Sequence, residues 1–182
     1  MKYRKTVVLK DGEECVLKNA GASDAEAVYE SFNLTHGETE NLLSYPDENS
    51  FDVDQERQFL IEQEKSEYAV EICAFVAGQL AGTAGIEPVG RKEKVKHRAE
   101  FGISIEKAYW GRGIGRALTQ ACMECAEKAG YLQIELDVVS TNMAAISLYK
   151  SIGFVEYGRN PRRFQTRGGE WQELVLMRRE FE

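Results

Sequence analysis

The segment from Tyr109 to Leu118, which reads YWGRGIGRAL, constrains the local fold and the function of this chain more than any other. It follows a strand-like run and opens a helical pattern, so it predicts a glycine-rich strand–turn–helix unit. Its three glycines let the backbone approach a ligand closely. A helix N-terminus adds unpaired N–H donors and a partial positive charge. The segment therefore predicts an anion site suited to a pyrophosphate, with Arg112 and Arg116 at its rim.

Two common phosphate-binding motifs do not fit this turn. A dinucleotide fingerprint, G-x-G-x-x-G, needs a third glycine at position 116 or 118. The sequence has Arg116 and Leu118 there. A P-loop needs a Gly-Lys-Ser/Thr ending, which the segment lacks. Neither motif therefore describes the way in which this turn would hold a phosphate.

A second motif lies downstream, where Asn142, Ala145, Tyr149, Gly153 and Phe154 occur as N-x-x-A-x-x-x-Y-x-x-x-G-F. The first part of this stretch reads as a short helix. Asn142 and Tyr149 are about two helical turns apart, so their side chains lie on the same face. One amide and one phenol can thus point together at an elongated ligand. Capping of the helix by Asn142 and core packing of Tyr149 are the alternative interpretations.

Together, the two segments resemble the CoA-binding segments of the GNAT superfamily of N-acetyltransferases. That family's pyrophosphate loop reads Gln or Arg, two residues, Gly, any residue, then Gly or Ala. Gly113 and Gly115 match it, and Trp110 stands at its first position. The resemblance implies acetyl-CoA as the co-substrate and an acyltransferase that moves the acetyl group directly to a primary amine. It implies no covalent intermediate on a cysteine.

The resemblance also implies roles for single residues. Asn142 would contact the pantetheine arm, and the hydroxyl of Tyr149 would protonate the departing thiolate, whose basicity is similar. The backbone of the strand around Ile103 would pair with pantetheine, and an N–H near it would polarise the acetyl carbonyl. The predicted cofactor-binding residues are Ile103, Ser104, Ile105, Arg112, Gly113, Ile114, Gly115, Arg116 and Asn142.

An arriving ammonium must lose a proton before it can attack, and Glu100 is the first candidate for the group that accepts it. Glu100 lies on the cofactor strand and shares a face with Ser104. A solvent-facing strand residue is the alternative interpretation, and an ordered water is an alternative base. Poorer candidates for the base are Glu71, Glu135, Asp137 and His97.

The order of predicted elements is β-α-α-β-β-β-α-β-α-β-β, which is neither a regular α/β alternation nor an all-β chain. It predicts an α/β (α+β) fold in which a mixed, mostly antiparallel sheet of six to seven strands carries helices on both faces. Residues 1–182 are expected to form a single N-acetyltransferase domain. We expect strands at 13–19, 68–77, 80–89, 99–105, 132–139, 154–158 and 171–178.

Composition limits the class of partner. The net charge of −7 argues against nucleic-acid binding and agrees with a cationic acceptor. No apolar run is long enough to cross a bilayer or to form the core of a secretory signal, so we expect a soluble, cytoplasmic protein. Cys122 and Cys125 form a C-x-x-C pair inside a predicted helix, which indicates packing, and no metal site is expected.

The acceptor itself carries no readable motif. Its pocket is expected between the helical region 35–65 and a polar loop at 159–170. A small-molecule amine and a peptide N-terminus both stay open as acceptors, and so does a longer acyl group on the donor. A catalytically silent CoA-binding sensor or scaffold is the alternative function. An edge strand near the C-terminus leaves a homodimer open.

Overall fold

The hydrophobic runs of the sequence form one sheet in the computed structural model, which describes residues 1–182. The strands are β1 Arg4–Val8, β2 Glu14–Asn19, β3 Val70–Val76, β4 Gln79–Pro88, β5 Arg98–Ile105, β6 Gln133–Val139, β7 Val155–Gln165 and β8 Trp171–Glu180. The helices are α1 Ala25–Glu38, α2 Val53–Lys65, α3 Ile114–Lys128 and α4 Met143–Ser151. None of these helices has both the length and the apolar character that a membrane crossing requires.

The strands lie in the order β1-β2-β3-β4-β5-β6-β8-β7. All neighbours are antiparallel except β5 and β6, which are parallel. The predicted fold class, a mixed and mostly antiparallel sheet with helices on both faces, is therefore confirmed. The parallel pair sits in the middle of the sheet, and its strand β5 directly precedes the glycine-rich segment.

The two faces of the sheet bury different side chains. On β3, Val70 and Ile72 belong to a large apolar cluster that includes Leu118 of α3 and Ile146 of α4. Cys73 points the other way, into a smaller cluster with residues of α1 and α2. Side chains that are neighbours along β3 point to opposite faces of the sheet. Helices α3 and α4 therefore cover one face, and α1 and α2 cover the other.

The predicted count of six to seven strands is too low by one. The missing strand is β1, which pairs with β2 so that Thr6 lies opposite Val16. Its five residues, RKTVV, carry two cations and little apolar character, and four of the five are exposed. An edge strand of this kind has no hydrophobic alternation to reveal it.

The predicted polar loop at 159–170 is also partly wrong, because β7 continues to Gln165. Its pairing with β8 is interrupted between Asn160 and Phe164 and then resumes. Pro161 lies in this irregular stretch, where a residue without an N–H costs no ladder hydrogen bond. Pairing with β8, rather than the side chains of β7, keeps the segment extended.

Two turns lie next to the strands and helices of this half of the chain. The β3–β4 hairpin turns at Ala77 and Gly78, whose φ angles are 49° and 80°. Two positive φ values identify a type I′ turn. A 3-10 turn at Ala22–Asp24 directly precedes helix α1.

Candidate functional site

The site lies at a gap in the middle of the sheet, between β5 and β6. The parallel pairing of β5 with β6 covers only three residues on each strand and ends at Glu100 and Glu135. Beyond that point β6 stays paired with β8, whereas β5 stays paired with β4. The two strands therefore diverge, and the facing edge of β5 from Phe101 onward has no strand partner.

The hydrogen-bond pattern shows which groups face the gap. The N–H of Glu106 donates to the carbonyl of Ala81 at 3.0 Å, and the β4–β5 register continues without a break. Backbone groups alternate between the two sides of an antiparallel strand. Even-numbered residues of β5 therefore bond to β4, and the N–H groups of Ile103 and Ile105 face the gap.

A cavity of about 1310 Å³ runs along this gap, and elements on both faces of the sheet line it. Most ligand pockets hold about 300–1,000 Å³, so this cavity suits an elongated ligand. We call the part beside α3 and α4 the loop side, and the part beside β7 and β8 the hairpin side. All eleven predicted site residues line it: Glu100, Ile103, Ser104, Ile105, Arg112, Gly113, Ile114, Gly115, Arg116, Asn142 and Tyr149.

Unpaired backbone donors dominate the loop side. The first N–H at the start of α3 that bonds within the helix is that of Ala117, which donates to the carbonyl of Gly113 at 3.1 Å. No N–H from Gly111 to Arg116 donates to another residue. Gly113 has a φ of 102°, which only glycine adopts without strain. This row of free donors at the N-terminus of a 15-residue helix fits a pyrophosphate.

Two contacts hold the loop close to β5. The indole Nε1 of Trp110 donates to the carbonyl oxygen of Ile105 at 2.7 Å. A Cβ on Gly115 would come within 3.3 Å of the Ile105 and Leu148 side chains, so glycine permits this close approach. Trp110, which departs from the family pattern, therefore anchors the loop.

The two arginines of the loop differ in what they touch. Arg112 bonds to Asp11 and Glu13 in the turn between β1 and β2, so its charge is already paired. Arg112 nevertheless lines the cavity, and its role as a rim cation stays a prediction. Arg116 bonds only to the hydroxyl of Ser151, at 2.7 Å, and keeps its full charge at the rim. Lys10, which the sequence did not single out, also lines the loop side.

Tyr149 lies at the inner end of the loop side. Its ring is buried between Phe101 and Phe154, with ring centroids 6.1 and 5.8 Å away. Burial raises the pKa of its phenol well above the ordinary value, and no hydrogen bond contributes to this shift. The hydroxyl therefore stays protonated at neutral pH. It has no hydrogen-bond partner in the chain, and Tyr149 lines the cavity.

Asn142 is the N-cap of α4, as one of the two interpretations predicted. Its Oδ1 accepts a hydrogen bond from the backbone N–H of Ala145 at 3.2 Å. Capping leaves the Nδ2 donors without a partner in the chain, and Asn142 lines the cavity. The residue can therefore cap the helix and still donate to a ligand.

Three carboxylates share the hairpin side. Glu135 is held by Arg98, whose guanidinium lowers the pKa of that carboxyl, and Asp137 lies 3.2 Å from Arg163. Glu100 forms no ion pair and is exposed to the cavity. Among the proposed bases, Glu71 and His97 do not reach the cavity wall. Glu100 is thus the one acid of the three without an ion-pair partner.

The remaining walls come from segments without a sequence motif. The loop after α1 contributes Thr39, Asn41, Leu42 and Leu43, and the β7–β8 hairpin contributes Asn160, Arg163, Phe164 and Leu174. The sequence placed an acceptor pocket in these two regions but named no residue. Their side chains meet only because the fold joins segments about 120 residues apart.

Comparison with protein families gives a match to the model described as the acetyltransferase (GNAT) family, over residues 25–154. N-alpha-acetyltransferase RimI of Mycobacterium tuberculosis is 36% identical over 93 residues, which are 51% of this chain and 56% of the relative. The chain spans only 30%, 56% and 37% of the lengths of the first three curated relatives that it matches.

Solved structures share the fold. An acetyltransferase of the GNAT family from Streptococcus pneumoniae superposes with a TM-score of 0.88 at 27% identity, covering 92% of this chain and 99% of that chain. A Salmonella typhimurium protein solved with its cofactor acetyl-CoA gives a TM-score of 0.82 at 20% identity, covering 92% and 94%. At that identity the second likeness concerns the fold alone.

Proposed function

The chain belongs to the acetyltransferase (GNAT) family, and we propose that it transfers the acetyl group of acetyl-CoA to a primary amine. The acceptor is the amine of a small molecule or the N-terminus of a peptide. One observation carries this proposal: the free N–H groups of Gly111 to Arg116 open into the same cavity as the free hydroxyl of Tyr149. A pyrophosphate site and a proton donor are thereby joined by one elongated channel.

The loop side holds the donor. Backbone N–H groups from Gly111 to Arg116, with the charges of Arg116 and Lys10, bind the anionic end of acetyl-CoA. Nδ2 of Asn142 and the free edge of β5 orient its arm along the gap. When bound, acetyl-CoA supplies an acetyl group that is already activated as a thioester.

Three groups of the chain act at the reacting end. The N–H of Ile103 donates to the acetyl carbonyl oxygen, where a fixed donor is worth about 3 kcal/mol of transition-state stabilisation. The hydroxyl of Tyr149 gives its proton to the departing sulfur. The carboxylate of Glu100 takes the proton of the incoming ammonium, directly or through one water.

Measuring thiol release from acetyl-CoA against a panel of amines tests the proposal. The panel contains polyamines, amino acids, aminoglycosides and short peptides with free N-termini, and a thermal shift with CoA runs in parallel. Amine-dependent release supports the proposal. A stabilising shift without release from any amine would instead favour a catalytically silent CoA-binding protein.

A further inference from the structure

The loop after α1 and the β7–β8 hairpin are tied together outside the cavity. The hydroxyl of Tyr45 accepts a hydrogen bond from the backbone N–H of Arg167 at 3.1 Å and donates to Glu40 at 2.9 Å. The guanidinium of Arg167 stacks 4.1 Å from the centroid of the Tyr45 ring and bonds to Asp47 at 2.6 Å. We call this set of contacts the clasp.

A further bond extends the clasp toward the cavity. Nε2 of Gln172 in β8 donates to the backbone carbonyl of Glu40 at 2.9 Å. A single exposed ion pair would hold a loop only weakly. Arg167 makes three contacts with the loop. Its backbone N–H bonds to Tyr45, and its guanidinium both stacks on the Tyr45 ring and bonds to Asp47, so the three contacts reinforce one another.

The clasp fixes the position of two cavity walls. Directly before Tyr45, the segment 39–43 lines the hairpin side, and its Leu43 is 79% exposed in the chain. Facing it, Phe164 and Leu174 of the hairpin line the same side. The clasp therefore links these two walls at the outer end of the hairpin side.

The shape of this end decides what kind of amine fits. A polypeptide acceptor must leave the site in an extended form, at about 3.3 Å per residue, through a passage that admits its main chain. A small amine needs no such passage. Apolar side chains and the Arg163–Asp137 pair on the hairpin side offer contacts for the body of a small molecule.

We propose that the clasp closes this end of the cavity and thereby restricts the acceptor to a small primary amine, with Tyr45 and Arg167 as the specificity-determining residues that exclude the N-terminus of a polypeptide. This inference rests on the proposed function, since it concerns the acceptor end of the same cavity. Both residues act through the loop and the hairpin that they hold, and neither lines the cavity itself.

Two matched acceptors test the proposal: alanine amide, and a hexapeptide amide that begins with alanine. In the wild type we expect kcat/KM to be at least tenfold higher for alanine amide. In the Tyr45→Ala/Arg167→Ala variant we expect kcat/KM for the hexapeptide to rise at least fivefold, with the KM for acetyl-CoA unchanged. Arg162→Ala is the control, because Arg162 stacks on Trp171 of the same hairpin outside the clasp.

A wild type that uses the hexapeptide as well as alanine amide would overturn the proposal, as would an unchanged ratio in the double variant. Hydrogen exchange of backbone amides in residues 39–48 provides a measurement that needs no turnover. Faster exchange in Arg167→Ala is expected, and unchanged exchange would overturn the clasp itself. Absence of transfer from the wild type to any amine, alongside faster exchange in Arg167→Ala, would contradict the proposed function while leaving the clasp itself in place.

Discussion

The indole N–H of Trp110 donates a 2.7 Å hydrogen bond to the carbonyl oxygen of Ile105 and so ties the glycine-rich loop to the last residue of β5. This bond sets the position of the unpaired N–H groups relative to the gap in the sheet. The family pattern has Gln or Arg at this position. In this chain the Trp110 side chain stabilises the loop through its hydrogen bond to the Ile105 carbonyl.

Replacing Trp110 with Phe should weaken acetyl-CoA binding without abolishing it. The ring remains, but the hydrogen bond to Ile105, with a net value of about 0.5–1.5 kcal/mol, is lost. We expect the KM for acetyl-CoA to rise about two- to tenfold, with a smaller change in kcat. Trp171→Phe, a similarly exposed tryptophan on β8 outside the cavity, should change neither constant. Steady-state kinetics would show this, and an unchanged KM in Trp110→Phe would contradict the anchoring role.

Glu100→Gln should lower kcat at least tenfold at neutral pH while the KM for acetyl-CoA stays the same, because a positioned general base usually contributes about 10²-fold or more. The loss should shrink as the pH approaches the pKa of the acceptor, since more of the amine then arrives unprotonated. A pH series of kcat measures this. Glu30→Gln, on the exposed face of α1, is the matched control. Equal kcat values for Glu100→Gln and wild type would assign proton removal to ordered water.

Glu71 should make the protein less stable as the pH rises. Its carboxylate lies against Gly85 under α2, and burial raises the pKa of Glu71 from 4.5 to about 7. Between these values the folded chain binds more protons than the unfolded chain, so the free energy of unfolding falls as the pH increases. Burial also raises the pKa of the neighbouring Glu56, which leaves part of the slope in any Glu71 variant.

Glu71→Gln should therefore be more stable than the wild type at pH 8 and should gain little or nothing at pH 5. Urea unfolding midpoints at the two pH values measure the difference. Glu64→Gln, an exposed position on α2, should follow the wild type at both. If the midpoints of Glu71→Gln and wild type change in parallel with pH, Glu71 does not ionise in this window.

Much of the site could be predicted from the sequence because its residues are close together along the chain. Glycines and a helix start within one segment predict the free donors at 111–116, and the seven-residue spacing of Asn142 and Tyr149 predicts a shared face. Local backbone rules are sufficient for such features. All eleven predicted site residues consequently meet in one cavity.

The parts that the sequence did not predict depend on distant contacts. Arg112 pairs with Asp11 and Glu13, although about 100 residues separate these groups. Strand β7 runs past Asn160 because β8 pairs with it, and its own polar sequence indicates a loop. The contact between Tyr45 and Arg167 likewise follows from the fold and has no local signal.

The most direct test of the central claim is kcat for acetyl transfer in Tyr149→Phe, measured together with the thermal shift on adding CoA. The Tyr149 hydroxyl has no partner within the chain, so its removal should not lower stability. Tyr68→Phe, an exposed tyrosine outside the cavity, is the control. The account predicts that kcat falls about a hundredfold or more in Tyr149→Phe while the CoA shift is retained. A wild-type kcat in that variant would contradict the account.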